Sequence, residues 1–470
     1  MKQEKDFLVL AEKPVGRLLL QYAIPAITAM VASSLYNIVD GIFIGQGVGE
    51  NAISGLALTA PIMNLTAAVG AMIGVGGSTV MSVRLGQQDY RTARKILGNV
   101  VILNLALGFV LALALIATLN PVLRFFGASE ATLPYAHEYM FILLAFNPVT
   151  HLYFGLNAML RSTNRPKCAM YATFATVGIN TVLDALFILV FKWGIAGAAW
   201  ATAISQAIVL VWQCRLFRQK DHIIRLERSI FVPSARIMTE ATTIGLPQFL
   251  VNACACLVSI CFTRSMTTYG GDTAVGAYGI IGRLAMLVVF VVIGINQALQ
   301  PIAGYNYGAQ RYDRLIKVLN YAVIAATVVS TTGFVLGTFF AEPFVRLFAA
   351  NAEEMVQTAA HGLRITVLFF PFIGMQIVSG AFFQSIGYPA KSIFLSLTRQ
   401  LIFLLPCLFL LPHIFSDPLE GVWYSMPVSD AAATILSAWL LVREVKKLKK
   451  LQADVHESGH TEKTSSDSLL

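Results

Sequence analysis

Charged side chains are scarce in this chain: Asp, Glu, Lys and Arg make up 13% of 470 residues, against 56% hydrophobic. With a mean hydropathy of +0.69, the composition excludes an ordinary soluble domain and reads as a polytopic membrane protein. Barrel-type alternation of apolar and polar residues is missing, and lipid leaves no water to satisfy a backbone, so the long apolar stretches must be helices. Cysteine is also sparse. The six cysteines (168, 214, 254, 256, 261 and 407) show no paired metal-ligand spacing and no disulfide framework, and read as small helix-packing residues. Seven scattered histidines offer no catalytic constellation, so no enzyme, cofactor or resident metal is expected. The net charge of +9 sits in short segments between apolar runs rather than on one face, which argues against nucleic acid as a partner. The first apolar run continues for about 28 residues without a small-residue cleavage site, so it is expected to be a first span rather than a removed signal.

A ruler of about 20 residues finds twelve spans. Their expected limits are 17–45, 52–82, 97–119, 135–160, 168–191, 195–216, 240–263, 274–303, 318–340, 358–383, 392–412 and 422–442. Of the 34 Lys and Arg, 27 fall on one set of alternate connections and four on the other, while Arg283, Arg364 and Arg399 lie in or at the ends of spans. The positive-inside rule then places the protein in a cell membrane as a multi-pass protein with both termini cytoplasmic. Five segments are expected: a cytoplasmic N-terminus (1–16), a first six-span lobe (17–216), a cytoplasmic linker (217–239), a second lobe (240–442) and a cytoplasmic tail (443–470). That tail is basic to Lys450 and reads as disordered beyond it.

The two lobes are copies of each other. Sliding the chain by 222 residues lays "GENAISGLAL" over "GDTAVGAYGI", "LGQQDYRTARKIL" over "YGAQRYDRLIKVL" and "PVLRFF" over "PFVRLF". One added residue lays Pro166 on Pro389, and another lays "GIAGAAW" over "LEGVWY". An even number of spans per copy means that both halves enter from the same side, around a pseudo-two-fold axis along the membrane normal. The fold class expected is therefore all-α, twelve transmembrane helices in two pseudo-symmetric six-helix bundles, which is the architecture of a transporter.

Within this apolar chain, "SLYNIVDGIFIG" carries Asp40, at a cost of at least about 2.5 to 3.5 kcal/mol for a carboxylate at the bilayer centre. The duplication supplies a control. The second copy has Phe262 at the place of Asp40, and Cys407 or Leu408 at that of Asp184 in span 5, so the bundle does not need these acids to form. Asn180 lies four residues before Asp184, and Tyr36 and Asn37 lie four and three before Asp40, on shared helix faces. Counted from the outer ends of their spans, Asp40, Asp184, Tyr139 of span 4 and Thr202 of span 6 fall at similar depth, roughly 8 to 11 Å for the acids at 1.5 Å per residue. The second copy has Phe403 or Leu404, His361 or Gly362, and Met426 in place of Asn180, Tyr139 and Thr202. Two carboxylates, an amide, a hydroxyl and a phenol form a hard-oxygen site suited to a small cation or to protons. Close acids in low dielectric cannot both stay charged without a cation, which is the property a coupling site needs.

The segments "IPAIT", "YNIVDGIFIG", "PIMNL", "LGQ", "NRPK", "GINTVLDALFIL" and "GIAGAAWATAISQ" resemble the MATE (multidrug and toxic compound extrusion) family, in its DinF-like, MepA-like branch, over residues 14 to about 445. The resemblance implies an antiporter that exports organic, often cationic, drugs and xenobiotics against inward H⁺ or Na⁺, a role linked with antibiotic resistance. It assigns cation coupling to Asp40, Asp184, Asn180, Thr202 and Tyr139, with Na⁺ as the only metal in view. The other main branch carries further acids in the second lobe, where spans 7 and 10 of this chain contain none. Small organic substrates and the lipid bilayer are the expected partners of a monomeric protein.

Further residues qualify as candidates. Tyr36, Asn37, Met63, Asn64, Asn157 and Gln206 are candidate cavity contacts or helix-packing groups. Pro25 is expected to kink span 1, as Pro247 repeats it in span 7. Gly70 and Gly74 form a GxxxG packing pair, and Arg283 and Asp430 are expected to pair across the second lobe. A lipid-linked saccharide flippase on a related two-lobe scaffold is the alternative reading, although its cleft calls for more basic residues than these spans carry.

Overall fold

The computed structural model describes residues 9–48, 50–219, 222–348 and 352–467, without the side chains of 36–39, 41, 42, 45–47, 50, 51 and 455–467. The described residues contain helices and no strand. Among the described residues nine helices are long and apolar enough to cross a membrane, and two bent pairs, Leu133–Ala145 with Asn147–Ser162 and Glu353–Thr366 with Phe370–Ser385, each make one further span. The 74-residue helix Ala235–Gly308 holds two spans joined at Gly271, whose φ of 63° is open to glycine but strained for an L side chain. Twelve spans result, as the hydropathy pattern predicts.

Spans 4 and 10 are each bent by 57°. Pro148 and Pro371 stand in the first turn of the helix after each break. Proline there gives no N–H to the preceding turn and crowds its carbonyl, so the earlier helix stops and a new one starts at an angle. Pro25 lies inside Val15–Gly47, which runs on as one helix, and Thr28 Oγ1 donates to the carbonyls of Ile24 (2.9 Å) and Pro25 (3.1 Å).

The residues fall into two compact units, one comprising Ile24–Met81 and Asp89–Cys256, the other Val9–Ala23, Ser82–Gln88 and Leu257–Leu470. The first unit buries an apolar cluster that includes Ile44, Ile62, Leu123, Met140, Leu144, Ile188 and Ile195. The GxxxG pair works here at close range: a Cβ on Gly70 would stand 2.8 Å from His151 Cα, and one on Gly74 3.0 Å from Gly155 Cα, so span 2 packs backbone to backbone against span 4. The second unit buries its own cluster around Phe262, Met266, Leu363, Leu404 and Trp423.

Span 12 extends further than its composition suggests. Where the sequence beyond Lys450 reads as disordered, the helix continues from Pro418 to Asp467. A helix already anchored by a buried span propagates without a new nucleation cost, and the first extramembrane turns are rich in Lys, Leu, Gln and Ala.

Candidate functional site

Asp40 sits on span 1, Asp184 on span 5 and Thr202 on span 6, all in the first unit and all buried. The carboxyl groups of Asp40 and Asp184 lie within hydrogen-bond reach of each other. Asn180, one turn before Asp184, donates through its amide nitrogen to Asp184 Oδ2 at 2.8 Å, while its amide oxygen accepts from Thr202 Oγ1 (3.3 Å) and Thr202 N (3.1 Å). One oxygen of each acid, Asp40 Oδ1 and Asp184 Oδ1, is buried with no hydrogen-bond partner. A buried carboxylate oxygen without a donor is unstable unless a proton or cation supplies the missing charge.

Backbone geometry contributes at this point. Directly after Asp184 the helix widens into a π-helical turn, Ala185–Val190. Such turns leave carbonyls out of the regular ladder and gather at functional positions. Tyr139 belongs to the buried cluster that holds Ile44, Ile188 and Ala198, the residues one helical turn beyond Asp40, Asp184 and Thr202 towards the expected outer side. The four groups Asp40, Asp184, Asn180 and Thr202 are thus brought together, with Tyr139 in the adjoining layer.

The remaining candidates spread out. Tyr36 and Asn37 lie on the span 1 helix, but their side chains are outside the described residues. Met63 is half-buried against the apolar cluster and accepts from Thr59 Oγ1 at 3.8 Å, whereas Asn64 is exposed. Gln206 accepts from Thr150 Oγ1 at 2.6 Å, joining spans 4 and 6. Asn157 is used in packing: its Nδ2 donates to Ala169 O (3.2 Å) and its Oδ1 accepts from Arg161 (2.6 Å).

In the second unit the expected Arg283–Asp430 pair is replaced by another. Arg399 Nε donates to Asp430 Oδ1 at 2.8 Å, and Arg283 is exposed. Arg399 lies on a second π-helical turn, Thr398–Leu404 in span 11, so each lobe carries a charged group in or beside the π turn of its fifth span. Sequence reasoning missed this pair because Arg399 and Asp430 stand on different helices, and no spacing along one helix relates them.

A duplicated bundle of six spans with two facing carboxyl groups in its first copy defines a membrane transporter of the two-lobe class. The chain matches the MatE family over residues 25–186 and 247–409, one match in each copy, and it belongs to that family. Among its relatives is the multidrug export protein MepA of Staphylococcus haemolyticus, 25% identical over 441 residues, which cover 94% of this chain and 96% of that protein. Among solved structures, a MATE transporter in the bent conformation superposes with a TM-score of 0.90 at 25% identity, covering 96% of this chain and 99% of the other. A MOP superfamily transporter from Pyrococcus furiosus gives a TM-score of 0.89 at 25% identity, covering 94% of this chain and 98% of the other.

Proposed function

We propose that this protein is a cation-coupled antiporter that exports organic, often cationic, compounds by alternating access between its two lobes. Its relatives named as multidrug export proteins support the substrate class. The observation that carries the coupling is the buried contact between Asp40 and Asp184. Two carboxyl groups within hydrogen-bond reach of each other need a shared proton, and losing it leaves two like charges in low dielectric that only a new cation or separation relieves. Asn180 and Thr202 hold the geometry and offer oxygens, so the same cluster has the donors for Na⁺, but the carboxyl pair favours H⁺. A proton entering down about 100 mV and one pH unit releases roughly 3.7 kcal/mol, about a 500-fold gradient of a neutral solute.

The excess of Lys and Arg on one set of loops supports a multi-pass orientation with both termini in the cytoplasm, and a single chain contains both lobes, so a monomer suffices. The test is efflux from proteoliposomes with proton and sodium gradients imposed separately. Asp40→Asn and Asp184→Asn should each abolish gradient-driven efflux while inserting normally. Full transport by both variants would remove the coupling assignment, and efflux driven by Na⁺ alone would replace H⁺ with Na⁺.

A further inference from the structure

The second unit holds a cluster that the coupling site does not use. It lies where the end of span 8, the turn between spans 10 and 11, and the end of span 12 meet, on the side to which the basic loops assign the cytoplasm. The Lys391 ammonium stands 5.3 Å from the ring centroid of Phe383 and 4.8 Å from that of Tyr388, and it forms an ion pair with Glu444. Tyr307 closes the edge, with its hydroxyl 3.0 Å from the Tyr388 hydroxyl and its ring T-shaped to that of Tyr388 at 6.1 Å. The Glu444 side chain is 4% exposed, yet its Oε1 has no hydrogen-bond partner. Lys447 reaches the Tyr388 ring from span 12 at 5.5 Å.

Two aromatic faces and a buried carboxylate around an ammonium form the arrangement by which proteins hold organic cations. Here the cation is the chain's own. Lys391 is on a long flexible stem, and its side chain is 39% exposed, so it can leave for water. Its departure would strand a buried carboxylate, a state costly enough that an incoming cation gains what the lysine gave up. The free Oε1 adds a preference, because it needs an N–H donor, which a protonated amine has and a quaternary ammonium lacks. The first copy carries Leu85, Arg165, Cys168 and Lys220 at the places of Tyr307, Tyr388, Lys391 and Glu444, so the bundle folds without this cluster.

We propose that Phe383, Tyr388, Tyr307 and Glu444 form a second binding site for protonated organic amines, separate from the Asp40–Asp184 cluster, in which Lys391 is a tethered occupant displaced by the substrate. The site would load amines before transport, and in that respect it rests on the export of organic cations proposed above.

The experiment measures binding of 9-aminoacridinium, a fluorescent cation with N–H donors, to purified full-length protein by anisotropy. It is run in the Asp40→Asn background so that the coupling acids contribute less. Lys391→Met should tighten binding by about fivefold or more, because it removes the competing ammonium. Tyr388→Leu should weaken binding by about fivefold, the scale of one ring contact, and Tyr388→Phe should keep it. A purely structural ion pair gives no gain in affinity for Lys391→Met, and unchanged or weaker binding in that variant overturns the proposal. If Lys391→Met does not fold, Tyr388→Leu decides, since it leaves the ion pair in place, and unchanged affinity there is equally fatal. No binding of the probe by any variant also overturns it. The two proposals fail separately: gradient-driven efflux that survives in Asp40→Asn and Asp184→Asn removes the coupling assignment, whereas the sign of the Lys391→Met effect concerns this site alone.

Discussion

Phe262 is fully buried and stacks on Tyr278, with ring centroids 5.4 Å apart and planes 9° from parallel, at the place in the second copy that Asp40 holds in the first. One position in a duplicated helix is therefore an apolar core residue in one lobe and a carboxyl facing another carboxyl in its twin. The second lobe supplies Leu404 and Met426 near the places of Asn180 and Thr202, and both pack with the Phe262 cluster. The difference between the lobes is a set of changes that go together, and it can be tested at single positions.

Phe262→Asp should destabilise the protein without creating a second coupling site. The new carboxylate meets Val258, Met266 and Tyr278 rather than an amide and a hydroxyl, so a loss of about 3 kcal/mol is expected. Thermal unfolding in detergent should show a lower midpoint. Efflux by the double variant Asp40→Asn/Phe262→Asp should remain as low as in Asp40→Asn alone, and any rescue would show that a single acid suffices in either lobe.

Removing the partners of Asp184 should give graded losses. Asn180→Ala deletes the 2.8 Å donor to Asp184 Oδ2, and a hydrogen bond to a charged group carries about 1.5 to 3 kcal/mol, so coupled efflux should fall about 10- to 100-fold. Thr202→Val removes the hydroxyl but leaves the backbone N–H 3.1 Å from the Asn180 oxygen, so its loss should be smaller. Initial efflux rates under an imposed pH gradient give the order directly, and a reversed order would separate Thr202 from Asn180 and bring it to the ion.

The residues of this cluster were legible in the sequence because a duplication exposes what the fold does not require. Depth counted along straight helices was accurate enough for Asp40, Asp184, Asn180 and Thr202, which do converge. Tyr139 lies in the buried cluster one turn further out, on the outer side of the 57° bend in span 4, a bend that hydropathy does not show. The partner of Asp430 was misread for a related reason. Arg283 and Arg399 are both basic residues in second-lobe spans, and which of them reaches the acid depends on how spans 8, 11 and 12 pack, which spacing along one helix does not give. The cage around Lys391 gathers residues from three distant segments, and no local spacing announces it.

Breaking the Arg399–Asp430 pair on one side should be worse than removing it whole. Asp430→Asn leaves a guanidinium in mid-membrane and Arg399→Leu leaves a carboxylate that is 5% exposed, each costing up to about 3 kcal/mol. The double variant Arg399→Leu/Asp430→Leu should recover much of that loss. A double-mutant cycle on thermal midpoints measures the coupling, and additive single losses would mean that the two groups do not act as a pair.

Gly86 at the end of span 2 and Gly308 at the end of span 8 are related by the same 222-residue shift. A Cβ on Gly86 would stand 2.1 Å from Tyr305 O, and a Cβ on Gly308 2.1 Å from Val83 O, so the two helix ends meet reciprocally, backbone to backbone. Val83 and Tyr305 are themselves related by that shift, which makes the contact symmetric. Alanine at either place cannot fit without pushing the helix ends apart, at about 1 to 3 kcal/mol. Under the alternating access proposed above, a contact that is tight in one state only would make such a cost act on that state and shift the population by about 5- to 150-fold. Gly86→Ala and Gly308→Ala should therefore lower turnover about tenfold or more with little change in insertion or yield, and amide exchange should rise across residues 82–88 and 305–310. Because the two variants disturb the same reciprocal contact, the double variant should cost less than the sum of the single losses. Wild-type turnover and exchange in both single variants would show that the helix ends yield freely and that this contact does not control the cycle.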